Sequence, residues 1–331
     1  MSDFVGVSEI LKSSRRLLVT SHESPDGDAL GSMLGLGLSL EPEGKEVEYY
    51  NASGVPPHLD FLPYRGRVKS VLNEIPGSFD ATIILDCTDI GRVGEEFLTE
   101  LETGRMGRTV IIDHHSTRVP SADMHVLFPC AAATGIIVFS LIKYLELEIT
   151  SDIATSLYTA IVSDTGSFSY ENTGPEALRV AAELIERGAS PSYISEAIYQ
   201  REPISKIKLL GLALPTIELS EGGDVASITV DGTMFERTSS GRADTEGFVN
   251  IPRSIKGVKV AVLFREVSSS DNEGKWKISL RSKGEVNVAA VAEKLGGGGH
   301  ERAAGCSIRG SIEHAKENLF DLLREELGWK V

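Results

Sequence analysis

Short apolar runs alternate with helical patterns along the first half of the chain. The runs are rich in β-branched residues, as buried strands are, and a helical pattern over about residues 29–40 follows the first of them. The strand-like runs are residues 17–20, 47–50, 81–85 and 109–112. Strands that alternate with helices are typical of α/β proteins. The pattern therefore predicts a mostly parallel sheet that is flanked by helices.

A second and smaller α/β pattern occupies the last third of the chain. Before it, residues 131 to about 200 are helical in pattern, and proline marks two helix starts, at Gly174-Pro175 and Ser190-Pro191. Beyond this stretch, the patterns predict strands at residues 225–230, 258–267 and 275–280 and helices at residues 286–295 and 312–327.

The length of the chain predicts more than one domain. Its 331 residues exceed the usual size of a single hydrophobic core. We predict an N-terminal α/β domain over residues 1–190, a helical linker over residues 191–215 and a smaller C-terminal α/β domain over residues 216–331. Because polar motifs occur in both domains, we expect the functional site in a cleft between them.

The composition indicates a protein of the cytoplasm. No run approaches the ~18 apolar residues of a membrane span, and the first residues lack the basic and apolar regions of an export signal. Cys87, Cys130 and Cys306 are odd in number and far apart, so they form neither a disulfide framework nor a zinc knuckle. We expect a cytoplasmic location and no membrane partner.

The charge of the chain limits the size of its partners. There are 48 acidic residues against 33 basic ones, which gives a net charge of -15. This is the wrong sign for a protein that grips long nucleic acid through its phosphates. We expect no long duplex as a partner, and an anionic substrate should be small and locally held.

Polar residues follow the first predicted strand in the order His-x-x-x-Asp-x-Asp, as His22, Asp26 and Asp28. Open α/β sheets bind ligands at the carboxyl ends of their strands. Carboxylates suit hard divalent ions and imidazole suits borderline ones such as Mn2+, so this loop could supply ligands to two adjacent metals. The alternative is a capped helix start, in which Asp26 or Asp28 accepts hydrogen bonds from free backbone amides.

Three further motifs occupy comparable places in the chain. Asp86 follows the third predicted strand, Asp113-His114-His115 follows the fourth, and Asp164 ends a helical pattern. Each is open to a plain interpretation as a turn residue. However, a carboxylate at the C-terminal end of a helix is disfavoured unless a cation lies nearby. The joint occurrence of these motifs weakens the interpretation as turns.

A glycine-rich segment near the C-terminus joins a predicted helix to a strand. Consecutive glycines let backbone amides approach a phosphate without Cβ clashes, and neighbouring His and Arg side chains add donors. A flexible linker is the alternative for the glycines, and a solvated strand end is the alternative for Arg281. The candidate anion-binding residues are Arg281, Gly297, Gly298, Gly299, His300 and Arg302.

Together these motifs resemble the DHH phosphoesterase family, which is named for the sequence that occurs here as Asp113-His114-His115. The resemblance includes residues 22–32, Asp86, residues 163–166 and the glycine-rich segment, so it spans nearly the whole chain. Residues 297–305 resemble the signature of the DHH-associated C-terminal domain. That domain is found in nano-RNases that also hydrolyse 3'-phosphoadenosine 5'-phosphate.

The resemblance implies a centre of two divalent metal ions, which in this family are usually Mn2+. His22, Asp26 and Asp86 would hold one ion, and Asp86 would bridge to the other. The second ion would be held by Asp28, Asp86, His114 and Asp164.

The resemblance also implies roles in catalysis and in substrate binding. His115 would contact the scissile phosphate, and Asp113 would support the histidines as a neighbour that does not touch the metal. Arg281, His300 and Arg302 would grip the substrate from the C-terminal domain.

Two positions depart from the family pattern and bear on substrate preference. They are Arg118, where Asn is frequent, and Ser169, where Arg is frequent.

The predicted function is a two-metal phosphoesterase that hydrolyses short RNA or DNA oligonucleotides and nucleotide phosphates. Linear dinucleotides and 3'-phosphoadenosine 5'-phosphate are the expected substrates. A RecJ-like single-strand exonuclease and a cyclic dinucleotide phosphodiesterase are alternatives with related chemistry. A nucleotide-binding regulatory module without catalysis is the alternative from a different class. The oligomeric state, including a homodimer, stays open.

Overall fold

A parallel sheet organises the first of two compact units into which the chain divides, Met1–Arg201 and Glu202–Val331. They are called unit 1 and unit 2 below. The computed structural model describes residues 4–115, 122–267, 274–284, 286–326 and 328, apart from the side chain of His300. Among these residues, no helix is both long enough and apolar enough to cross a membrane.

The sheet of unit 1 confirms the predicted mostly parallel arrangement. Its strands are Arg16–Thr20 (β1), Glu46–Tyr50 (β2), Val68–Lys69 (β3), Ala81–Leu85 (β4), Arg108–Asp113 (β5) and Met124–Leu127 (β6). They lie in the order β3-β2-β1-β4-β5-β6, and every neighbouring pair is parallel. Since the chain order reverses between β1 and β4, a switch point forms there, and ligands bind at the carboxyl ends of such strands.

Helices cover both faces of this sheet. They are Val5–Ser13 (α1), Gly27–Leu40 (α2), Glu95–Glu102 (α3), Thr134–Tyr144 (α4), Ser151–Asp164 (α5), Pro175–Glu186 (α6) and Pro191–Tyr199 (α7). The prolines at residues 175 and 191 begin α6 and α7, as predicted. Helix α2 begins two residues before the predicted Ala29, because the side chain of Asp26 accepts hydrogen bonds from the amides of Asp28 and Ala29.

Helix α2 is buried along its whole length. It packs most extensively against α5 and also contacts α4. The close approach depends on glycine, because a Cβ placed on Gly31 would overlap the backbone carbonyl oxygen of Ser156 in α5. The packing of α2 against α5 therefore fixes where both helices end at the edge of the sheet.

Unit 2 is a mixed sheet with helices on its faces. Its strands are Glu218–Leu219 (β7), Val225–Val230 (β8), Val260–Glu266 (β9), Lys275–Ser282 (β10), Gly298–His300 (β11) and Ala303–Arg309 (β12). Its helices are Ile204–Ala213 (α8), Gly232–Thr238 (α9), Asn250–Ser254 (α10), Val288–Lys294 (α11) and Ile312–Glu326 (α12). The strand order is β11-β12-β10-β9-β8-β7, and only β8 and β9 pair in parallel among these described strands.

Two features of unit 2 differ from the simplest interpretation of the sequence. The glycine-rich segment is a strand in part, since residues 298–300 pair with β12. The predicted linker over residues 191–215 contributes α7 to unit 1 and α8 to unit 2. The division into residues 1–190, 191–215 and 216–331 stays a prediction.

The α2–α5 contact predicts a stability cost for Gly31→Ala. The added methyl group must push the two helices apart, and overpacking of this kind costs about 1–3 kcal/mol. We expect a lower melting temperature of unit 1 in far-UV circular dichroism. Gly211→Ala is the matched control, because Gly211 lies in α8 with open space around it, and alanine there should be neutral or stabilising by up to ~1 kcal/mol. Equal melting temperatures for Gly31→Ala and the unmodified chain would contradict this interpretation.

Candidate metal centre

The carboxyl edge of the unit 1 sheet brings the predicted acidic and histidine residues together. Three groups of side chains could hold a metal ion. Within each group, the potential ligand atoms all lie within 4.8 Å of one another. Asp86 belongs to two of these groups, and His114 also belongs to two. The groups are His22, Asp26 and Asp86; Asp28, His114 and Asp164; and Asp86, Asp113, His114 and His115. Their roles as metal ligands stay a prediction, but the proximity that such roles need is present.

The loop after β1 presents His22 towards Asp86. The Nδ1 atom of His22 lies 2.8 Å from the carbonyl oxygen of Glu23, and Asn51 donates a hydrogen bond to the His22 carbonyl oxygen at 2.8 Å. These contacts fix the ring, whose Nε2 lies 3.7 Å from Asp86 Oδ2. Asp26, the third member of this group, is exposed and also caps α2. The capped helix start and the cluster are therefore both present in the same loop.

Asp86 is the central carboxylate of the cluster. Its backbone is left-handed, with φ of 54°, which is uncommon for a residue other than glycine and typical of functional sites. Its amide donates to the carbonyl oxygen of Ile112, which ties the turn after β4 to β5. The carboxylate is 3% exposed, and its Oδ1 lies 3.6 Å from His114 Nε2. The strained turn thus aims Asp86 between His22 and His114.

The two histidines after β5 have different surroundings. The Nδ1 of His114 lies 3.1 Å from the carbonyl oxygen of Ala131, and its Nε2 faces Asp164 Oδ2 at 3.5 Å. His115 instead turns its Nδ1 to Asp113 Oδ1 at 2.7 Å, and its backbone amide donates to the same oxygen at 3.0 Å. Asp113 is fully buried. His114 therefore faces the carboxylate cluster, while Asp113 holds His115.

Asp28 and Asp164 reach the cluster from the ends of two packed helices. Asp28 lies in the first turn of α2, and Asp164 is the last residue of α5. The Asp28 carboxylate is 1% exposed and accepts hydrogen bonds from the amides of Thr134 and Gly135, at 2.7 and 2.9 Å. Asn172 donates to the backbone carbonyl oxygen of Asp164 at 3.0 Å. The close contact of α2 and α5 therefore sets how far apart the two carboxylates lie.

Burial and mutual repulsion act on the acidic residues of the centre. Burial raises the pKa of Asp28 and of Asp86 well above the usual value, and neighbouring carboxylates raise both pKa values further. Burial, followed by the charge of Asp26, raises the pKa of Asp164 to about 7. A nearby divalent cation opposes such shifts, because it stabilises the ionised carboxylates. The charge distribution therefore fits divalent metal binding.

The histidine pKa values respond to the same surroundings in opposite directions. Burial, and then the positive charge of His115, lowers the pKa of His114. Burial is the largest single effect on His115 and disfavours its charged form, but the hydrogen bond with Asp113 and the charges of Asp113, Asp86 and Asp164 together outweigh it and raise the pKa of His115. Burial is also the largest single effect on Asp113 and raises its pKa, but the two hydrogen bonds from His115 and the charges of the two histidines together lower it. His114 is thus favoured as a neutral ligand, and His115 as a charged partner of Asp113.

The predicted substrate-binding residues gather at one end of the unit 2 sheet. Arg281 in β10 lies opposite Ala303 in β12, and His300 in β11 pairs with the same Ala303. Arg302 lies in the turn between β11 and β12, and its carbonyl oxygen accepts a hydrogen bond from the amide of Ser282. The other members of this set are Gly297, just before β11, and Gly298 and Gly299 within it. A cleft shared with unit 1 stays a prediction.

The two positions that depart from the family pattern have different outcomes. Ser169 is exposed in the turn that follows α5. Arg118 lies outside the described residues.

The sequence interpretation missed Thr134, which holds two carboxylates of the centre. Its hydroxyl donates to Asp86 Oδ1 at 3.0 Å, and its amide donates to Asp28 Oδ2. Thr134 is fully buried at the first position of α4, where the preceding Ala133 offers no side-chain cap. A threonine before a helix is a local signal for capping. Here Asp28 of another helix caps α4 instead, and no local sequence pattern predicts such a contact.

Comparison with known proteins identifies both units. Residues 16–161 match the model of the DHH family, N-terminal domain, and residues 237–328 match that of the DHHA1 domain. The bifunctional oligoribonuclease and PAP phosphatase NrnA of Thermus thermophilus is 35% identical over 324 residues, which cover 97% of this chain and 93% of that protein. The protein of the same name from Bacillus subtilis is 27% identical, with 92% and 93% covered.

A solved structure agrees with the fold along nearly the whole chain. It is the crystal structure of an exopolyphosphatase-related protein from Bacteroides fragilis, with a TM-score of 0.90 and 27% sequence identity. The match covers 98% of this chain and 96% of that one.

The contacts of Thr134 predict that Thr134→Val weakens metal binding. Valine keeps the shape and the amide but removes the donor to Asp86, and loss of such a supporting hydrogen bond typically lowers metal affinity roughly 10- to 100-fold. Calorimetric titration with Mn2+ measures the affinity, and Thr134→Ser should restore most of it. Thr82→Val is the control, because this buried hydroxyl donates to the Met106 carbonyl oxygen away from the cluster. Equal affinities for the two valine variants would refute the role of Thr134.

Proposed function

Since the chain belongs to the DHH family and carries a DHHA1 domain, we propose that it is a two-metal phosphoesterase of short oligonucleotides and of 3'-phosphoadenosine 5'-phosphate. The observation that carries the proposal is the position of Asp86 at the switch point of the sheet. Its carboxylate is grouped with His22 and Asp26, and its Oδ1 lies 3.6 Å from Nε2 of His114, which is grouped with Asp28 and Asp164. A bridge between two ions requires such a position. The names of the Thermus and Bacillus relatives support the choice of substrates.

We assign two divalent cations to the centre. His22, Asp26 and Asp86 would hold one of them. The second would be held by Asp28, Asp86, His114 and Asp164. The mixed oxygen and imidazole donors suit Mn2+, which accepts both, and this is the metal that we propose. When bound, such a pair of ions neutralises charge on a transferring phosphoryl group and activates water.

The protein itself would supply the proton that balances charge on the substrate. Asp113 fixes His115 through Nδ1 and favours its charged form. A charged imidazole at the edge of the cluster would offset negative charge on the scissile phosphate or on the leaving oxygen. Asp113 would act by positioning His115, because its carboxylate is fully buried and is engaged with that ring.

Unit 2 would grip the substrate. Arg281, His300 and Arg302 occur at one end of its sheet, and guanidinium groups bind phosphate in a bidentate manner. The backbone amides of Gly297, Gly298 and Gly299 would add neutral donors to the same phosphate.

The alternatives share the metal centre but differ in the rest of the chain. A RecJ-like exonuclease grips a long polyanion, which the net charge of -15 disfavours, and the long RNA in the panel below tests this alternative. A regulatory module that has lost catalysis does not need its metal-binding side chains. All the predicted metal-binding side chains are nevertheless present and close together. A cyclic dinucleotide phosphodiesterase remains an alternative that the assay below tests.

We also propose a cytoplasmic location, and a homodimer is to be tested by light scattering.

The proposed activity can be tested with a panel of substrates in the presence of Mn2+. The panel contains dinucleotides, pentanucleotides, a long single-stranded RNA, 3'-phosphoadenosine 5'-phosphate, a cyclic dinucleotide and pyrophosphate. We expect turnover of the linear dinucleotides, the pentanucleotides and the adenosine bisphosphate, and little turnover of the others. A preference for long RNA, or no turnover at all with two metals bound, would overturn the proposal.

The bridging position predicts that Asp86→Ala abolishes activity and lowers the metal content. Water cannot replace one carboxylate that serves both ions without loosening the pair. Metal content is measured by plasma emission spectrometry after gel filtration. Asp89→Ala is the control, because the Asp89 side chain caps the turn that follows by accepting from the Gly91 amide, and Asp89 belongs to none of the ligand groups among the described residues. Retained activity of Asp86→Ala with two bound metals would exclude the bridge.

The position of Arg302 predicts that Arg302→Ala lowers the affinity for substrate without lowering the metal content. Loss of one charge-assisted contact costs about 1.5–3 kcal/mol, or roughly 10- to 100-fold, and Arg302→Lys should recover only part of this because an ammonium group is not bidentate. KM for a dinucleotide should rise more than KM for a small activated phosphodiester. If Arg302→Ala changes metal content, or raises both KM values equally, the residue supports the fold instead.

A further inference from the structure

One face of the unit 2 sheet is open along two of its strands. The residues of β10 and β12 alternate in burial, and one face of both strands packs against α11 and α12 in an apolar cluster. The side chains on the opposite face, here called the open face, are half-buried or exposed. The open face consists of Lys275, Lys277, Ser279 and Arg281 in β10 and of Ala303, Gly305, Ser307 and Arg309 in β12.

The open face is basic although the chain is strongly acidic. None of its positions is an Asp or a Glu, and half of them are Lys or Arg, in a protein with a net charge of -15. The neighbouring strand β9 adds Arg265, which lies directly opposite Lys277 and therefore on the same face. Like charges opposite each other across two strands destabilise a sheet. An anionic ligand would remove this cost.

Arg265 shows the same lack of compensation at atomic detail. Its Nη1 is buried and has no hydrogen-bond partner among the described residues, which is unfavourable for a charged donor. Burial, and then the positive charge of Arg242, lowers the pKa of Arg265. The charged neighbour of Arg265 is therefore another arginine, and an anion bound beside Arg265 would stabilise both side chains.

The Arg265–Lys277 pair lies two positions along the same face of β10 from Arg281. Lys277 and Arg281 are four residues apart in the same strand, which is about 13 Å at ~3.3 Å per residue. A stacked single strand advances ~3.4 Å per nucleotide, so the separation of Lys277 and Arg281 matches roughly four nucleotides, or fewer if the strand is extended. A dinucleotide held at Arg281 spans only one such step, so it would engage the pair less than a longer oligonucleotide does.

We propose that Arg265 and Lys277 form a second phosphate-binding subsite, which holds the far end of oligonucleotides longer than a dinucleotide. The subsite rests on the proposed function only for the identity of the substrate. It would give the enzyme a preference among chain lengths without any contact to bases, because the open face carries no aromatic side chain on which a base could stack.

The test is fluorescence anisotropy of labelled pentanucleotide and dinucleotide RNA with the full-length chain, in EDTA so that no hydrolysis occurs. The variants are Arg265→Gln and Lys277→Gln. The second changes an exposed side chain, so it stays informative if Arg265→Gln fails to fold. We expect the ratio of pentanucleotide to dinucleotide affinity to fall about tenfold. The slope of log affinity against log salt for the pentanucleotide should become shallower by about 0.7 for each lost contact.

Arg324→Gln is the matched control, since it removes one positive charge from α12, which covers the opposite face of the sheet. The ratio and the salt slope should stay unchanged in this variant. An unchanged ratio in Arg265→Gln and Lys277→Gln would overturn the subsite, and so would an equal fall for Arg324→Gln. If the unmodified chain binds the pentanucleotide with the expected dependence on Lys277 but hydrolyses no oligonucleotide, the subsite stands and the proposed function fails.

Discussion

Repulsion between buried carboxylates is the constraint on which the unit 1 structure depends. Asp28 and Asp86 are almost completely buried, and Asp164 is close to them. Charges of one sign are unfavourable in such a place unless hydrogen bonds and positive charge compensate for them. The first amides of α4 and the hydroxyl of Thr134 provide part of the compensation. A bound cation would compensate for the rest of the negative charge.

Much of this centre could be predicted from the sequence, because its residues lie at the ends of regular elements. Asp86 follows a strand of five residues with a buried pattern at every position, and such a run leaves little choice of structure. Parallel strands end at one edge of a sheet, so the order of the motifs indicates their proximity. The predicted bounds of β4 and β8 agree with the structure, and so do the predicted starts of α6 and α7 at their prolines.

The contacts that orient the side chains could not be predicted in the same way. Thr134 and Asp28 are 106 positions apart in the chain, and their hydrogen bond depends on how α2 and α4 pack. Short strands were missed as well, since β3 has two residues and β6 has four with a weak apolar pattern. The pairing of residues 298–300 follows from the presence of β12 beside them, whereas glycine by itself disfavours a strand.

The glycine contact between α2 and α5 has a consequence for how such a protein can evolve. Asp28 and Asp164 are parts of these two helices, so their separation is inherited from the interior packing of the domain and not from an adjustable loop. Protein interiors are dense and transmit small displacements. A mutation that improves the packing of this helix pair would therefore also shift two acidic groups. Selection for thermal stability and selection for catalytic geometry act here on the same atoms, so neither can be optimised independently of the other.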